Sequence, residues 1–505
     1  MALATFMTLL DVTIVNIAIP TMLTNLHAGL DQALWVVNGY SLTYAVLLIT
    51  SGRLGDIWGP RNLFMAGVGL FTAASALSGL SQTPEQLIAA RALQGVAAAL
   101  LAPQTLPMMV GLFPPDRRGG VFAIYGMIAG LAVVAGPTLG GYLVTSFGWR
   151  WIFFVNVPVG LAILALSRPV IPDFRPGLPH RLDLAGVALV TAALVCLVFG
   201  LIEGQRYDWG TVTGPITIPE IIGLGVLLFA GFVWHQARRQ GGEPLVPFAV
   251  FADRNFAVAT IVICAMGFAI LGLYLPLTIY YQSVLGLTAI AAGLTIAVQP
   301  VTMFFAAGMV NGPLAQKVPA KYLLMAGLLL LAAGSAFIAL KAQPGSGRWD
   351  FVPGLVVSGL GMSCIWGPIF ALGTRDLKPQ VAGVASGVIN TVQELGSVVA
   401  SAAVGALLQN RLAAALHDRA VAAAAGLPPA FRPGFIDGFA QAARHGFDAG
   451  AGQNGLALGS APPAILQAAH WVFANGFVDA MRPTLVLPIA VIVIAAAVTL
   501  AARSR

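Results

Sequence analysis

Gly52-Arg53-Leu54-Gly55-Asp56-Ile57-Trp58-Gly59-Pro60-Arg61-Asn62 (GRLGDIWGPRN, residues 52–62) lies between two long apolar runs. Only 9% of the 505 residues are charged, yet this stretch gathers Arg53, Asp56 and Arg61 among Gly52, Gly55 and Gly59. A segment of that kind is not packed apolar core. It reads as a tight, charged turn at one membrane face.

Outward from this turn the chain stays apolar. Hydrophobic residues make up 58% of it, and its mean hydropathy is +0.87. A membrane-crossing helix needs about 20 predominantly apolar residues, and fourteen runs meet that requirement. They fall near residues 2–24, 34–51, 62–80, 86–110, 121–145, 149–167, 183–202 and 217–236, then 256–279, 289–311, 321–340, 351–372, 381–408 and 483–502. Period-two alternation is sustained nowhere, so an outer-membrane barrel is not expected.

Charge placement orients these spans. With the N-terminus inside, the inner loops hold most of the arginine and lysine, from Arg53, Arg61, Arg117 and Arg118 to Arg375, Lys378, Arg503 and Arg505. The short outer loops hold only Arg150, Arg206, Lys341 and Arg348. That bias fits an even number of spans with both termini cytoplasmic. The net charge of +7 is mostly a topology signal. Nucleic-acid binding would need the charge clustered on one soluble face, so none is expected.

Cys196, Cys264 and Cys364 fall in separate spans without CxxC spacing and read as structural thiols. The first apolar run is too long for a signal-peptide core, lacks a basic leader and carries Asp11. No GxxxxGK[ST], HExxH or GxSxG occurs, so neither ATP hydrolysis nor another enzyme activity is expected. No cofactor or metal site is expected.

The spans group as six, two and six. A proline-rich, charged stretch, RPVIPDFRPGLPHRLD (residues 168–183), reads as a linker, and His235–Asn255 as a second. The expected divisions are a first six-helix bundle at 1–168, a linker with two extra helices at 169–254, and a second bundle at 255–505. GPLAQKVPAKYLL (312–324) is a degraded echo of GRLGDIWGPRNLF (52–64), with Gln316 in place of the acid. Internal repeats are expected of secondary transporters; chance similarity of two basic turns is the competing reading. Residues 409–482 form a long extracytoplasmic loop in this scheme. Its stretch RLAAALHDRAVAAAA has helical composition, suited to lying on the membrane, covering a pathway mouth, or covering its neighbours alone.

The turn at 52–62 resembles the signature between the second and third helices of the major facilitator superfamily. LIAARALQGVAAA (87–99) is similar to that superfamily's arginine-centred fourth-helix pattern, and GLAVVAGPTLGG (130–141) to its fifth-helix antiporter pattern. LLDVTIVNIAIP (9–20) and WRWIFFVNVPVG (149–160) resemble the fourteen-helix EmrB/QacA-type drug:proton antiporters. The resemblance covers essentially the whole chain. It implies an all-α polytopic membrane protein of major facilitator fold: two six-helix bundles plus two inserted helices, driven by a proton gradient in the cell membrane.

Individual residues acquire roles from physics and from that resemblance. Asp56 is expected at the cytoplasmic start of the third helix, where its charge suits the helix dipole and pairs with Arg53 or Arg61. The resemblance implies that this cluster latches one bundle to the other; a purely topological basic loop would explain the arginines alone. Gly130, Gly136, Pro137, Gly140 and Gly141 give a nearly side-chain-free, kinked helix face for close packing in lipid, and the resemblance adds export as the direction.

Charges inside spans read as functional. Asp11 and Glu394 sit mid-span and Arg91 toward the outer side of the fourth. Burial penalises a carboxylate's charge and a neighbouring arginine restores it, which makes such an acid a proton carrier. The resemblance makes Asp11 and Arg91 a coupled pair. Glu394 has three readings: a second proton site, a site for cationic substrates, or a carboxyl hydrogen-bonded to Gln393 or Asn390. Glu203 and Glu220, at outer span ends, read as solvated. Asn16, Asn38, Gln299, Trp366 and Asn390 are candidates for a substrate cavity, with helix packing as the competing reading.

The expected function is proton-coupled antiport that exports hydrophobic or cationic small molecules by alternating access. The single chain is the expected unit, and its partners are substrate, protons and lipid. The alternatives are export of a lipid or endogenous metabolite, and a membrane sensor or scaffold without transport.

Overall fold

The structure is a computed structural model that describes residues 1–26, 30–172, 183–204, 207–242, 244–375, 381–444 and 463–503. Helix α1 (Ala2–Leu26) is followed by α2 (Leu30–Trp58) and α3 (Pro60–Leu80). The charged stretch is therefore mostly helical. Residues Gly52–Trp58 are the last turns of α2, and the chain breaks only at Gly59, whose φ of 90° suits glycine before Pro60 opens α3. Asp56 consequently ends α2 and does not start the third helix.

Helix α4 (Pro84–Leu101) begins where the Thr83 hydroxyl accepts from the Gln86 N–H, with Pro84 and Glu85 in the first turn. A 3-10 turn joins it to α5 (Thr105–Leu112). Then come α6 (Pro115–Phe147), ended by Gly148 at φ 94°, and the pair α7 (Trp151–Phe154) and α8 (Asn156–Val170). Helix α9 (Leu184–Glu203) connects through an antiparallel hairpin, β1 (Thr211–Thr213) and β2 (Ile216–Thr217), to α10 (Ile218–Arg238). A capping box of Thr217 and Glu220 starts α10.

After α11 (Ala249–Ala252), Asp253 caps α12 (Arg254–Ile279) by accepting from Asn255 N and Phe256 N. Pro276 removes a backbone donor there, and a π-turn at Tyr280–Val284 follows. The chain continues through α13 (Ala289–Ile296), α14 (Val298–Met309), α15 (Ala315–Lys317), α16 (Ala320–Lys341) and α17 (Val352–Thr374). It ends with α18 (Ala382–Ala424), α19 (Arg432–Arg444) and α20 (Pro463–Thr499).

Among the described residues, 11 helices are long and apolar enough to cross a membrane. Helices α1, α2 and α6, of 25, 29 and 33 residues, occupy three more of the expected positions. Helices α1–α8 pack largely on one another, as do α12–α20. The two groups meet where α2 and α5 touch α18 and where α6 touches α13, α14 and α17. Helices α9 and α10 pair with each other, and α9 lies beside α2 and α18.

Much of the expected 409–482 loop is a continuation of its neighbours. At 43 residues, α18 runs on past the span; at 1.5 Å per residue it is about 65 Å long, roughly twice the hydrocarbon thickness. Helix α20 likewise starts at Pro463, well before the expected 483. Leu408, Leu412, Leu416, Ala420 and Ala424 form one buried stripe on α18, covered by Phe435 and Phe439 of α19 and Ile465, Ala469 and Val472 of α20. Arg419 and Asp479 close the outside of this packing at 2.7 Å. Residues 445–462 lie outside the described residues.

Candidate functional site

Six helices converge on the pair of Asp11 and Arg91. The Asp11 carboxylate sits mid-way along α1, wholly buried, 2.6 Å from the guanidinium of Arg91 on α4. Gln94, one turn further along α4, accepts from Arg91 at 2.8 Å and donates to Asp11 at 2.8 Å and to Ser75 of α3 at 2.7 Å. Asn156, at the start of α8, donates to Asp11 at 2.9 Å and to Ser75 at 3.2 Å. Arg91 also donates to the Val36 carbonyl of α2 and lies 4.5 Å from the Tyr40 ring centroid. Phe153 of α7 closes the other side at 5.9 Å. An ion pair shut away from water is stable only where its remaining lone pairs and protons find partners; here both carboxylate oxygens of Asp11 and the Nε and Nη1 of Arg91 have them.

The arrangement can hold a carboxylate in apolar surroundings and let it go. A proton on Asp11 would remove the charge that faces Arg91, while Arg91 keeps Val36, Gln94 and Tyr40. Asp11 and Arg91 were legible as charges within spans. Gln94, Asn156 and Ser75 carry no such mark, although Gln94 and Asn156 lie within the motifs at 87–99 and 149–160. Their signal was spacing: Gln94 is three residues after Arg91 and so shares its helix face.

The charged end of α2 meets the start of α18. Asp56 is 3% exposed, and its carboxylate accepts from the Val384 N–H at 3.2 Å. Val384 is in the first turn of α18, so the acid serves as a cap supplied by a distant part of the chain. Arg53 is buried at 4%, and Arg61 donates to the Arg168 carbonyl near the end of α8 at 2.7 Å. The glycines here make room: a side chain at Gly55 would strike Gln104, whose amide donates to the carbonyls of Ser51 and Leu100. Gly387 of α18 lies against the Leu48 carbonyl and Ile49 of α2.

In α6, Gly136 and Gly140 are buried and Gly141 is half-buried. A β-carbon at Gly136 would collide with Thr13, two residues from Asp11, whereas one at Gly141 would meet nothing within 4 Å. Gly130 and Pro137 are in α6, and their packing lies outside the described residues.

Glu394 is half-buried on α18 and, among the described residues, has no hydrogen-bond or ion-pair partner. The reading in which Gln393 or Asn390 holds its carboxyl is therefore corrected: the Asn390 amide donates to Ser386 O at 2.8 Å instead. Glu203, expected to be solvated, is 2% exposed and accepts from Asn38 at 3.3 Å. Asn38 thereby ties α2 to α9. Gln299 accepts from Tyr274 at 2.5 Å within the α12–α17 group, and Trp366 stacks on Phe370. The side chain of Asn16 lies outside the described residues.

Asp183, at the start of α9, is bonded by Gly186 N at 3.1 Å, Gln236 at 2.8 Å and Arg239 at 3.2 Å, with His235 3.1 Å away. Burial alone would push its carboxyl up, but these hydrogen bonds outweigh it and hold Asp183 below its ordinary value. The cluster fastens α9 to α10.

Known proteins are similar to this chain. The family model described as Major Facilitator Superfamily matches residues 1–401. An uncharacterised MFS-type transporter of Mycobacterium tuberculosis is 40% identical over 81% of this chain and 69% of its own length. A probable actinorhodin transporter of Streptomyces coelicolor is 35% identical over 80% of this chain and 70% of its own. The tetracenomycin C resistance and export protein of Streptomyces glaucescens is 34% identical over 83% and 76%. In structure, the human organic anion transporter MFSD10 superposes over 97% of both chains with a TM-score of 0.58 and 13% identity, a likeness of fold.

Proposed function

Because the chain belongs to the major facilitator superfamily, we propose that this multi-pass membrane protein is a proton-coupled antiporter that exports hydrophobic or cationic small molecules. The observation that carries this reading is the buried, hydrogen-bonded Asp11–Arg91 pair at 2.6 Å. A scaffold has no use for such a pair, whereas an antiporter needs a site whose charge state changes. The relatives named for antibiotic resistance and export favour antibiotics as the cargo class.

The architecture proposed for that task is fourteen spans of the EmrB/QacA type with both termini cytoplasmic. Residues 1–168 and 255–505 are the two bundles, and 169–254 is the linker with its extra pair. Proton arrival at Asp11 loosens the Arg91 contact, and α1 is then free to shift against α6 at Gly136 and Thr13. Asp56 capping α18 holds the cytoplasmic ends together in one state and releases them in the other. Glu394 faces substrate or a second proton from the opposite bundle.

Uptake of a fluorescent cationic dye from the medium into everted vesicles with an acid interior tests the coupling. Dye movement that depends on an imposed pH gradient is the expected result. Movement at the same rate after the gradient is collapsed, with no other ion gradient present, would overturn it.

A further inference from the structure

Between α10 and α11 the chain reads PLVP, residues 244–247. A connecting segment normally keeps to the surface, because burial strands its backbone polar groups. This one is buried, with Leu245 0% and Val246 5% exposed. Side chains of α10 take up the backbone of Val246. Its N–H donates to Gln236 Oε1 at 3.2 Å, and its carbonyl accepts from the Gln240 amide at 3.2 Å. Gln240 also accepts from the Phe248 N–H at 2.8 Å. Gln236 is itself wholly buried, and its amide donates to Asp183 at the start of α9. Asp183 and Gln236 therefore hold this segment as well as the α9–α10 pair.

Leu245 and Val246 belong to one apolar cluster with Val46 and Ile49 of α2, Val190 and Leu194 of α9, and Val384 and Val388 of α18. The N–H of Val384 is the one that Asp56 accepts, so polar and apolar contacts at the α2–α18 seam meet at one turn. Further along, Ala45, Val198 and Val398 continue the contact of the same three helices. At its far end α9 is tied to α2 by the Asn38–Glu203 hydrogen bond, with Trp35 beside Phe199 at 6.2 Å between ring centroids. Helix α9 is thus hydrogen-bonded to α2, while in these clusters it meets α18 through apolar side chains. Apolar contact is non-directional, and it separates without leaving a buried polar atom unpaired.

We propose that α9 and the 244–247 segment form a strap over the α2–α18 seam, which travels with the first bundle and must leave α18 before the bundles part there. The strap rests on the alternating-access reading for the existence of a second state.

Distances between pairs of spin labels test it in the purified full chain with the native cysteines replaced. Positions 62 on α3, 237 on α10 and 375 just after α17 are exposed. In Asp56→Ala, which favours the parted state, the 62–237 pair should keep a single distance. The 237–375 and 62–375 pairs should share a second, longer population in the same proportion. That comparison leaves the strap unaltered. With Asp56 intact, Leu245→Ala together with Val246→Ala should enlarge the longer 62–375 population about tenfold, less than the full cost of truncating a buried leucine. Leu227→Ala, at a position of α10 that is 71% exposed, should leave it unchanged. A 62–237 distance that splits while 237–375 stays single would overturn the proposal by assigning the strap to the second bundle. A response to Asp56→Ala with none to the paired alanines would overturn the strap alone. No response to either would overturn it together with the two-state reading.

Discussion

The carboxylate of Asp56 accepts a hydrogen bond from the backbone N–H of Val384, 3.2 Å away, and so joins the end of α2 to the first turn of α18. An acid at a helix start contributes about 1 kcal/mol as a cap, with a further electrostatic share from the helix dipole. A contact of that size biases two states without locking either.

Removing it should therefore shift a population. With the native cysteines replaced and spin labels at exposed positions 62 and 375, Asp56→Ala is expected to enlarge the longer-distance population about fivefold, the equivalent of one cap. Asp56→Asn keeps an acceptor and should fall between the two. An unchanged distance distribution in Asp56→Ala would show that the contact holds nothing.

The glycines of α6 separate by contact. Gly136→Val places a side chain into Thr13 beside the Asp11 site, whereas Gly141→Ala enters open space. Transport is expected to fall to background in the first and to stay near the wild-type rate in the second. Overpacking costs about 1–3 kcal/mol, and Thr13→Ala should recover part of the Gly136→Val loss. Equal effects at the two positions in a dye-efflux assay would contradict this.

Asp183 fastens the inserted helix pair. Its carboxyl is held below the ordinary value, so its contribution to stability is complete above the unfolded value of about 4 and is lost as pH falls through the lower folded value. Asp183→Asn should lower the thermal midpoint of the detergent-solubilised protein at pH 7. The gap to wild type should close as the pH drops below that range. A gap that widens on acidification would refute the assignment.

The sequence made Asp11 and Arg91 conspicuous because a charge inside an apolar span is expensive. Their partners were not conspicuous, since Gln94, Asn156 and Ser75 are ordinary polar residues that matter only once α1, α3, α4 and α8 meet. Asp56 was visible in its motif, but its partner is a backbone N–H, which leaves no mark in a sequence. Helix α2 ran on through Gly52 and Gly55 because neither residue needs a positive φ; only Gly59 before Pro60 does. The 409–482 segment has helical composition, yet its continuity with α18 is not legible because an alanine-rich run without proline reads alike in loop or span. Glu203 looked wet at a helix end and is dry, because α9 packs beside α2 where Asn38 reaches it.

The central claim is that Asp11 carries the proton, and it is tested most directly in proteoliposomes with a pH-sensitive dye inside. An outward gradient of a transported dye should drive proton movement in the wild type. In Asp11→Asn that movement should vanish while downhill dye exchange persists. Proton flux at the wild-type rate in Asp11→Asn would contradict the account.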